Sequence, residues 1–363
     1  MPDAERYHRL RLALAAAGMA VSAGYLLTAL LTGAAGALAR AAARTPGGAW
    51  GQVAVVALGL GAAHGLLTFP LAWARGWWLP RRHGLLHQGL PAWLADRAKA
   101  ALLAGALGLA GVEVVYALLR TTAWWWLAAA AVFFVAQAAI AFVLPVWIVP
   151  LFYRLTPLQD GALRARLLVL ARRAGVPAVD VRVADQSRRS RTANAAVVGF
   201  RRTRRIILFD TLLASFTPEE IESVLAHELG HHAHGDMRRG LVVQGVLTLA
   251  TFWLADRLLR AGAAAFGLAG PADPAGMAWL ALILFLLGLV ALPLGNGFSR
   301  RIEREADDFA LATTGNPAAF IGAMERLGDL NLAERRPSRW KEFVLYSHPA
   351  LDRRIARARG EPA

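Results

Sequence analysis

Four stretches of this chain carry no ionised side chain: Leu12 to Ala39, Thr45 to Ala74, Thr121 to Tyr153 and Pro274 to Ser299. A bilayer's hydrocarbon core is ~30 Å thick and takes ~20 helical residues to cross, so each stretch is long enough. Ala100 to Leu119 is just long enough but contains Glu113, and Gly240 to Ala255 spans only if Arg257 and Arg260 reach up to the headgroups. The pattern predicts about six spans in a mainly α, polytopic membrane protein. The first stretch follows three arginines and is longer than a signal peptide's apolar core, so it reads as a retained span. With 56 % hydrophobic residues the chain is not disordered. With no cysteine it has no disulfide framework, no Cys-type zinc site and no thiol nucleophile. Any hydrolytic chemistry rests on His, carboxylates or hydroxyls.

Basic residues set the orientation. Arg6, Arg9 and Arg11 precede the first span, and Arg75, Arg81, Arg82, Arg97 and Lys99 lie between the second and third, against Arg40, Arg44 and Arg120 on the other side. Positive charge stays inside, which puts both termini and the long segment after span four in the cytoplasm. The excess of 40 Lys+Arg over 25 Asp+Glu fits contact with anionic lipid headgroups, and no basic motif interleaved with aromatics points to nucleic acid. The chain divides into membrane helices 1–4 (1–153), a cytoplasmic insert (154–238), membrane helices 5 and 6 (239–298) and a cytoplasmic tail (299–363). Trp124-Trp125-Trp126 reads as an interfacial belt. Glu113 and His64, inside spans, read as groups in buried hydrogen bonds or on a chamber wall.

The insert is a small α+β unit. Gly161 to Ala174 is amphipathic and closed by Gly175 and Pro177, Val179 to Ala184 alternates as a strand, and Asn194–Phe200 with Arg204–Phe209 read as two strands joined by a basic turn. Thr217-Pro218-Glu219-Glu220 combines an N-cap, a proline at the first helical position and Glu at the third, so a helix starts there and runs to about His234. That helix carries His227-Glu228-Leu229-Gly230-His231. Four residues is just over one turn, so both imidazoles leave one face and can hold one metal, while Glu228 can reach a water at that metal. These are the groups peptide hydrolysis needs: a Lewis acid to polarise the carbonyl and acidify water, and a carboxylate to carry the proton to the leaving amine.

A catalytic zinc wants a third protein ligand. His232 and His234 point away from the 227/231 face or lie a turn beyond, and read as solvated or headgroup-facing. The stretch Ser299-Arg300-Arg301-Ile302-Glu303-Arg304-Glu305-Ala306-Asp307-Asp308 is the better source. Glu303 and Asp307 share a face if it is helical, so one carboxylate can bind metal while the other orients an imidazole. For Glu305 and Asp308 a salt-bridged surface competes with any role at the metal.

The segments AHELGHHAHGD, SRRIEREAD, NAAVVGFRRTRRIILFDTLL, PLFYRLTPL at 150–158 and YSHP at 346–349 together resemble the integral-membrane zinc proteases of the type-1 CAAX prenyl protease family, with the HtpX gluzincins as more distant relatives. The likeness runs from about Thr68 to Arg354. It implies one zinc per chain on His227, His231 and Glu303, with Glu228 as general base and Asp307 behind a ligand. It further implies His348 stabilising an oxyanion with Arg354 nearby, and Asn194, with Ala195 and Ala196, on the strand that receives substrate. Main-chain bonds from such an edge can position any peptide sequence. Eukaryotic members have seven spans, so a six-span version is expected here.

The expected activity is that of a membrane-embedded zinc-dependent endopeptidase hydrolysing peptide bonds of membrane-associated or lipid-modified protein substrates. The Ala/Gly/Arg-rich composition suggests a prokaryotic cell membrane, where prenylated tails are not expected, so HtpX-like quality control of damaged membrane proteins is the alternative. A polytopic metal-binding or transport protein whose 227–234 segment merely loads metal is the non-enzymatic reading, under which Glu228→Gln would be silent.

Overall fold

Glycine breaks the first uncharged stretch. Helix α1 (Pro2–Leu31) stops before Gly33, whose φ of 72° only glycine adopts freely, and a short α2 (Ala34–Ala42) follows, so this stretch is a span plus a separate helix. The computed structural model describes residues 2–143, 152–199 and 204–361. Helix α3 (Gly48–Trp73) runs through a π-helical turn (Ala74–Trp78) into α4 (Leu79–Arg82), and α5 (Leu90–Thr121) and α6 (Trp125–Val143) complete the N-terminal membrane half. The end of the fourth expected span lies outside the described residues.

The insert adds β1 (Leu155–Pro157), α7 (Gly161–Arg173), β2 (Asp180–Ala184), β3 (Ala195–Val198), β4 (Arg205–Phe209), α8 (Asp210–Ser215) and α9 (Pro218–Ala233). The expected strands and helices are there within a few residues; β1, too short to alternate, was not expected. Residues 200–203 of the basic turn lie outside the described residues. The sheet order is β1-β2-β4-β3, with β2 and β4 parallel and both outer pairs antiparallel, which leaves β3 on an edge. Thr217 caps α9 in a full capping box with Glu220.

Helix α10 (Asp236–Ala265) and α11 (Met277–Thr314) return through the membrane, and α12 (Pro317–Leu330), α13 (Arg339–Leu345) and α14 (Leu351–Ala358) close the tail. The last span and the acidic stretch are therefore one unbroken 38-residue helix. Among the described residues five helices are long and apolar enough to cross a membrane, α1, α3 with its continuation, α5, α10 and α11, and α6 adds nineteen apolar-rich residues.

Two cores result. Val53, Val56, Tyr116, Trp125, Phe252, Leu259 and Ile283 pack α3, α5, α6, α10 and α11 together in the membrane half. Leu167, Ile206, Leu208, Ile221, Leu225, Leu229, Phe320 and Ile355 pack α7, the sheet, α9, α12 and α14 in the other. On α9 the stripe Ile221, Leu225 and Leu229 faces that core, which aims His227 and His231 the opposite way.

The tryptophan belt needs correction. Trp124 is 65 % exposed, but Trp125 is 1 % exposed and its Nε1 donates to Asp256 Oδ1 at 2.7 Å. Adjacent indoles on a helix point ~100° apart, so they cannot all face one interface. Arg260 Nε donates to the same oxygen at 2.8 Å, so it turns along α10 to a buried carboxylate instead of reaching freely for headgroups. His64 Nε2 lies 2.9 Å from Ser22 Oγ in a half-buried hydrogen bond, whereas Glu113 Oε2 is buried with no partner among the described residues. Asp256→Ala would leave the Trp125 indole N–H unpaired between α6 and α10, a loss of about 1–3 kcal/mol. Thermal unfolding in detergent should show a lower Tm for Asp256→Ala and a smaller drop for Asp256→Asn, which still accepts.

Candidate metal centre

Helix α9 and helix α11 approach so closely at Gly230 that a Cβ there would sit 3.2 Å from Ala306 Cα and from Phe309. The glycine inside the His-Glu-x-x-His segment thus lets the two backbones meet. Glu303, one turn before this contact, faces both imidazoles. His227 Nε2 and His231 Nε2 are 3.2 Å apart, Glu303 Oε2 is 3.3 Å from the first and Glu303 Oε1 is 3.5 Å from the second. A cation bonded tetrahedrally to N and O donors at ~2.0–2.1 Å spaces them ~3.3 Å apart; the two imidazole nitrogens stand at about that spacing, and the Glu303 carboxylate presents one oxygen to each of them. Glu303 Oε2 is buried and accepts no hydrogen bond among the described residues, an acceptor directed at the place a cation would fill. His227, His231 and Glu303 therefore fit a metal.

The far nitrogens are fixed as a metal ligand's should be. His227 Nδ1 lies 2.8 Å from Asp307 Oδ1 and His231 Nδ1 lies 3.0 Å from Asp236 Oδ2, which leaves both Nε2 lone pairs for the cation. Asp236 was not expected; it opens α10, a turn past His231, and only the reversal at Gly235 (φ 67°) brings its carboxylate back. Asp307 is 1 % exposed and is gripped by Arg354, with Nε to Oδ2 at 2.8 Å and Nη2 to Oδ1 at 2.6 Å. Arg354 thus stands behind His227 on the Nδ1 side, 3.4 Å from that nitrogen. Burial opposes a charge on His227, but Asp307 and Glu303 outweigh it and lift the imidazole to about 9 when no cation is bound.

Glu228 is half-buried, and no side chain among the described residues hydrogen-bonds it; burial pushes its carboxyl up, towards a group that can take and return a proton. His348 lies exposed between α13 and α14 with Nε2 3.3 Å from Glu303 Oε1. Arg300, also not expected, holds this segment: buried on α11, its Nη1 donates to the carbonyls of Glu342 (2.7 Å) and Tyr346 (2.6 Å) at the end of α13. Asn194, Ala193, His348 and Arg354 line a cavity of about 930 Å³ together with Tyr7, His8, Arg11 and Arg75.

Of the strand residues, Asn194 is exposed and its carbonyl accepts from Phe209 N at 3.1 Å. Backbone polar groups alternate between neighbours along a strand, so Ala196 also bonds to β4 and Ala195 turns its N–H and C=O to the free edge. His232 is corrected: its Nε2 donates to Val197 O at 2.8 Å rather than facing headgroups, because β3 runs beside α9. His234 is exposed and meets Phe309 edge-on. Glu305 pairs with Arg239 and Arg301, and Asp308 with Arg357, the salt-bridged surface expected of them.

Residues 157–361 match the profile described as Peptidase family M48, and residues 2–154 that described as CAAX prenyl protease N-terminal, five membrane helices. The chain is 28 % identical over 301 residues to the uncharacterized metalloprotease YhfN of Bacillus subtilis (strain 168), covering 82 % of this chain and 70 % of that one. It is 29 % identical over 282 residues to a CAAX prenyl protease 1 homolog of Oryza sativa subsp. japonica, covering 76 % and 65 %, so it spans just under two thirds of the rice protein. The crystal structure of S. mikatae Ste24p shares the fold, with a TM-score of 0.87, 24 % identity and coverage of 98 % of this chain and 88 % of that one. The molecule is a membrane metalloprotease. It belongs to peptidase family M48, built on the CAAX prenyl protease plan.

Asp236→Ala should weaken metal binding about 10–100-fold, read by competition with a chelating dye. Metal and proton compete for His227 Nε2, and below about 9 the imidazole is protonated, so affinity should fall as pH drops below 9. The same competition, run from pH 9.5 down to pH 6.5, checks both direction and onset.

Proposed function

We propose that this chain is a zinc endopeptidase that cleaves membrane-associated or lipid-modified protein substrates at the cytoplasmic face of a prokaryotic cell membrane, with one zinc on His227, His231 and Glu303. The observation that carries the reading is the convergence of the His227 and His231 Nε2 atoms and the Glu303 carboxylate, with contacts of 3.2–3.5 Å, beside Glu228, which no side chain among the described residues hydrogen-bonds. When bound, zinc supplies a Lewis acid that polarises the scissile carbonyl and acidifies a water.

Everything else falls to the chain's own residues. Glu228, raised by burial, takes the proton of the attacking water and hands it to the departing amine. His348, 3.3 Å from Glu303 and on the cavity side, donates to the oxygen on which negative charge develops, and Arg354 keeps Asp307 charged so that His227 stays oriented. Ala195 offers the extended substrate its outward carbonyl, with Asn194 beside it holding the Ala195 N–H. The cytoplasmic orientation is supported by His8, on the arginine-rich start of α1, whose Nε2 lies 2.5 Å from Leu332 O of the tail, so that the N-terminus and the metal unit are on one side.

Purified protein should cleave a quenched peptide, and Glu228→Gln should retain its metal while losing about 10²–10⁴-fold in kcat. A chelator should abolish wild-type cleavage and added zinc restore it. Equal cleavage by wild type and Glu228→Gln would overturn the enzymatic reading. Comparing a lipid-modified tail with the same unmodified tail and with misfolded membrane helices separates the substrate classes.

A further inference from the structure

The free edge of β3 is closed at both ends. Asn194 and Phe209 form a hydrogen-bonded antiparallel pair, so the backbone groups of Ala196 and Val198 also face β4, and those of Ala193, Ala195 and Val197 face outward. At one end, the Asn331 side-chain amide serves Ala193 as a neighbouring strand would, with Oδ1 accepting from Ala193 N at 3.1 Å and Nδ2 donating to Ala193 O at 3.4 Å. At the other, His232 Nε2 occupies Val197 O at 2.8 Å. Between them, Ala195 O and Val197 N have no partner among the described residues, and Ala195 N is held by the Asn194 side chain at 2.9 Å.

Both stops are held in place. Asn331 continues α12, its N–H bonded to Leu327 O at 3.0 Å, and the next residue, Leu332, sits at φ 48°, a left-handed conformation L side chains rarely adopt, with its carbonyl against His8. His232 rides on α9 beside the metal ligand His231.

We infer that Asn331 and His232 are specificity-determining stops that leave an added substrate strand a single main-chain acceptor, the Ala195 carbonyl. This rests on the endopeptidase reading and adds a limit on how substrate is held. In an antiparallel arrangement the substrate residue opposite Ala195 donates to Ala195 O, and the one opposite Val197 accepts from Val197 N. In a parallel one, the residue opposite Ala196 donates to Ala195 O and accepts from Val197 N. In both, the next substrate N–H groups along the edge meet acceptors already taken. Substrate is therefore gripped over a short segment, and lengthening the extended stretch beyond the residues that meet Ala195 O and Val197 N adds no main-chain bonds to this edge.

The test is an N-methyl scan. A quenched decapeptide drawn from a random library and cleaved by the wild-type protein is made with one N-methyl group at each position in turn, outside the scissile bond. One position is expected to lower kcat/KM about three- to tenfold, the range of one lost hydrogen bond, and positions two residues to either side are expected to change it less than about twofold. Losses at two or more positions spaced by two residues would overturn the stops, and no loss anywhere would overturn edge binding itself. Failure of the metal-loaded wild type to cleave any library peptide would instead overturn the endopeptidase reading on which the inference rests. In Asn331→Ala and in His232→Ala, each checked for metal content, a second sensitive position should appear two residues from the first, on opposite sides for the two variants. A structural role would slow all peptides in parallel and leave the profile unchanged, which would refute the stops.

Discussion

The metal centre depends on how closely α9 and α11 can approach. Two imidazoles on one helix face define only two corners of a coordination polyhedron. The third comes from a residue 72 positions beyond His231, delivered because Gly230 offers no side chain between the backbones. Since α11 is also the last of the described helices long and apolar enough to cross a membrane, Glu303 stands on the same unbroken helix as a candidate span. A helix apolar enough to cross lipid thus also carries one carboxylate of the candidate metal centre.

Around that contact the charges are arranged in a chain. Arg354 grips Asp307, Asp307 orients His227, and His227 faces the metal position with Glu303. Buried charges are costly when unpaired, so truncating any one member would leave another stranded, and the group acts as a unit. Asp236 does the same for His231 from the first turn of α10. Arg300 then uses the helix that carries Glu303 to fix the segment leading to His348. A single helix thereby positions Glu303, the carboxylate behind His227, and the segment that carries His348.

Much of this was legible in the residues. The capping box at Thr217, the four-residue spacing of His227 and His231, and that of Glu303 and Asp307 are local, and local hydrogen-bonding and periodicity rules decide them. The uncharged stretches were equally readable, because the cost of placing charge in hydrocarbon is a property of each segment. What could not be read were groups whose role exists only after distant chain segments meet: Asp236 across the Gly235 reversal, Arg300 on the α13 carbonyls, Asn331 imitating a strand, and His232 on the edge of β3. Trp125 shows the same limit, since composition puts three indoles together while helix rotation buries one against Asp256.

By itself, then, the sequence determined the membrane class, the helix that bears the His-Glu-x-x-His segment and the type of chemistry, since these follow from side-chain hydration, helical period and ligand chemistry acting within a few turns. Tertiary structure alone decided which carboxylate faces the imidazoles, which one backs them, and how much of the strand edge stays open. Those outcomes depend on distances of about 3 Å between residues far apart in the chain, and only packing sets such distances.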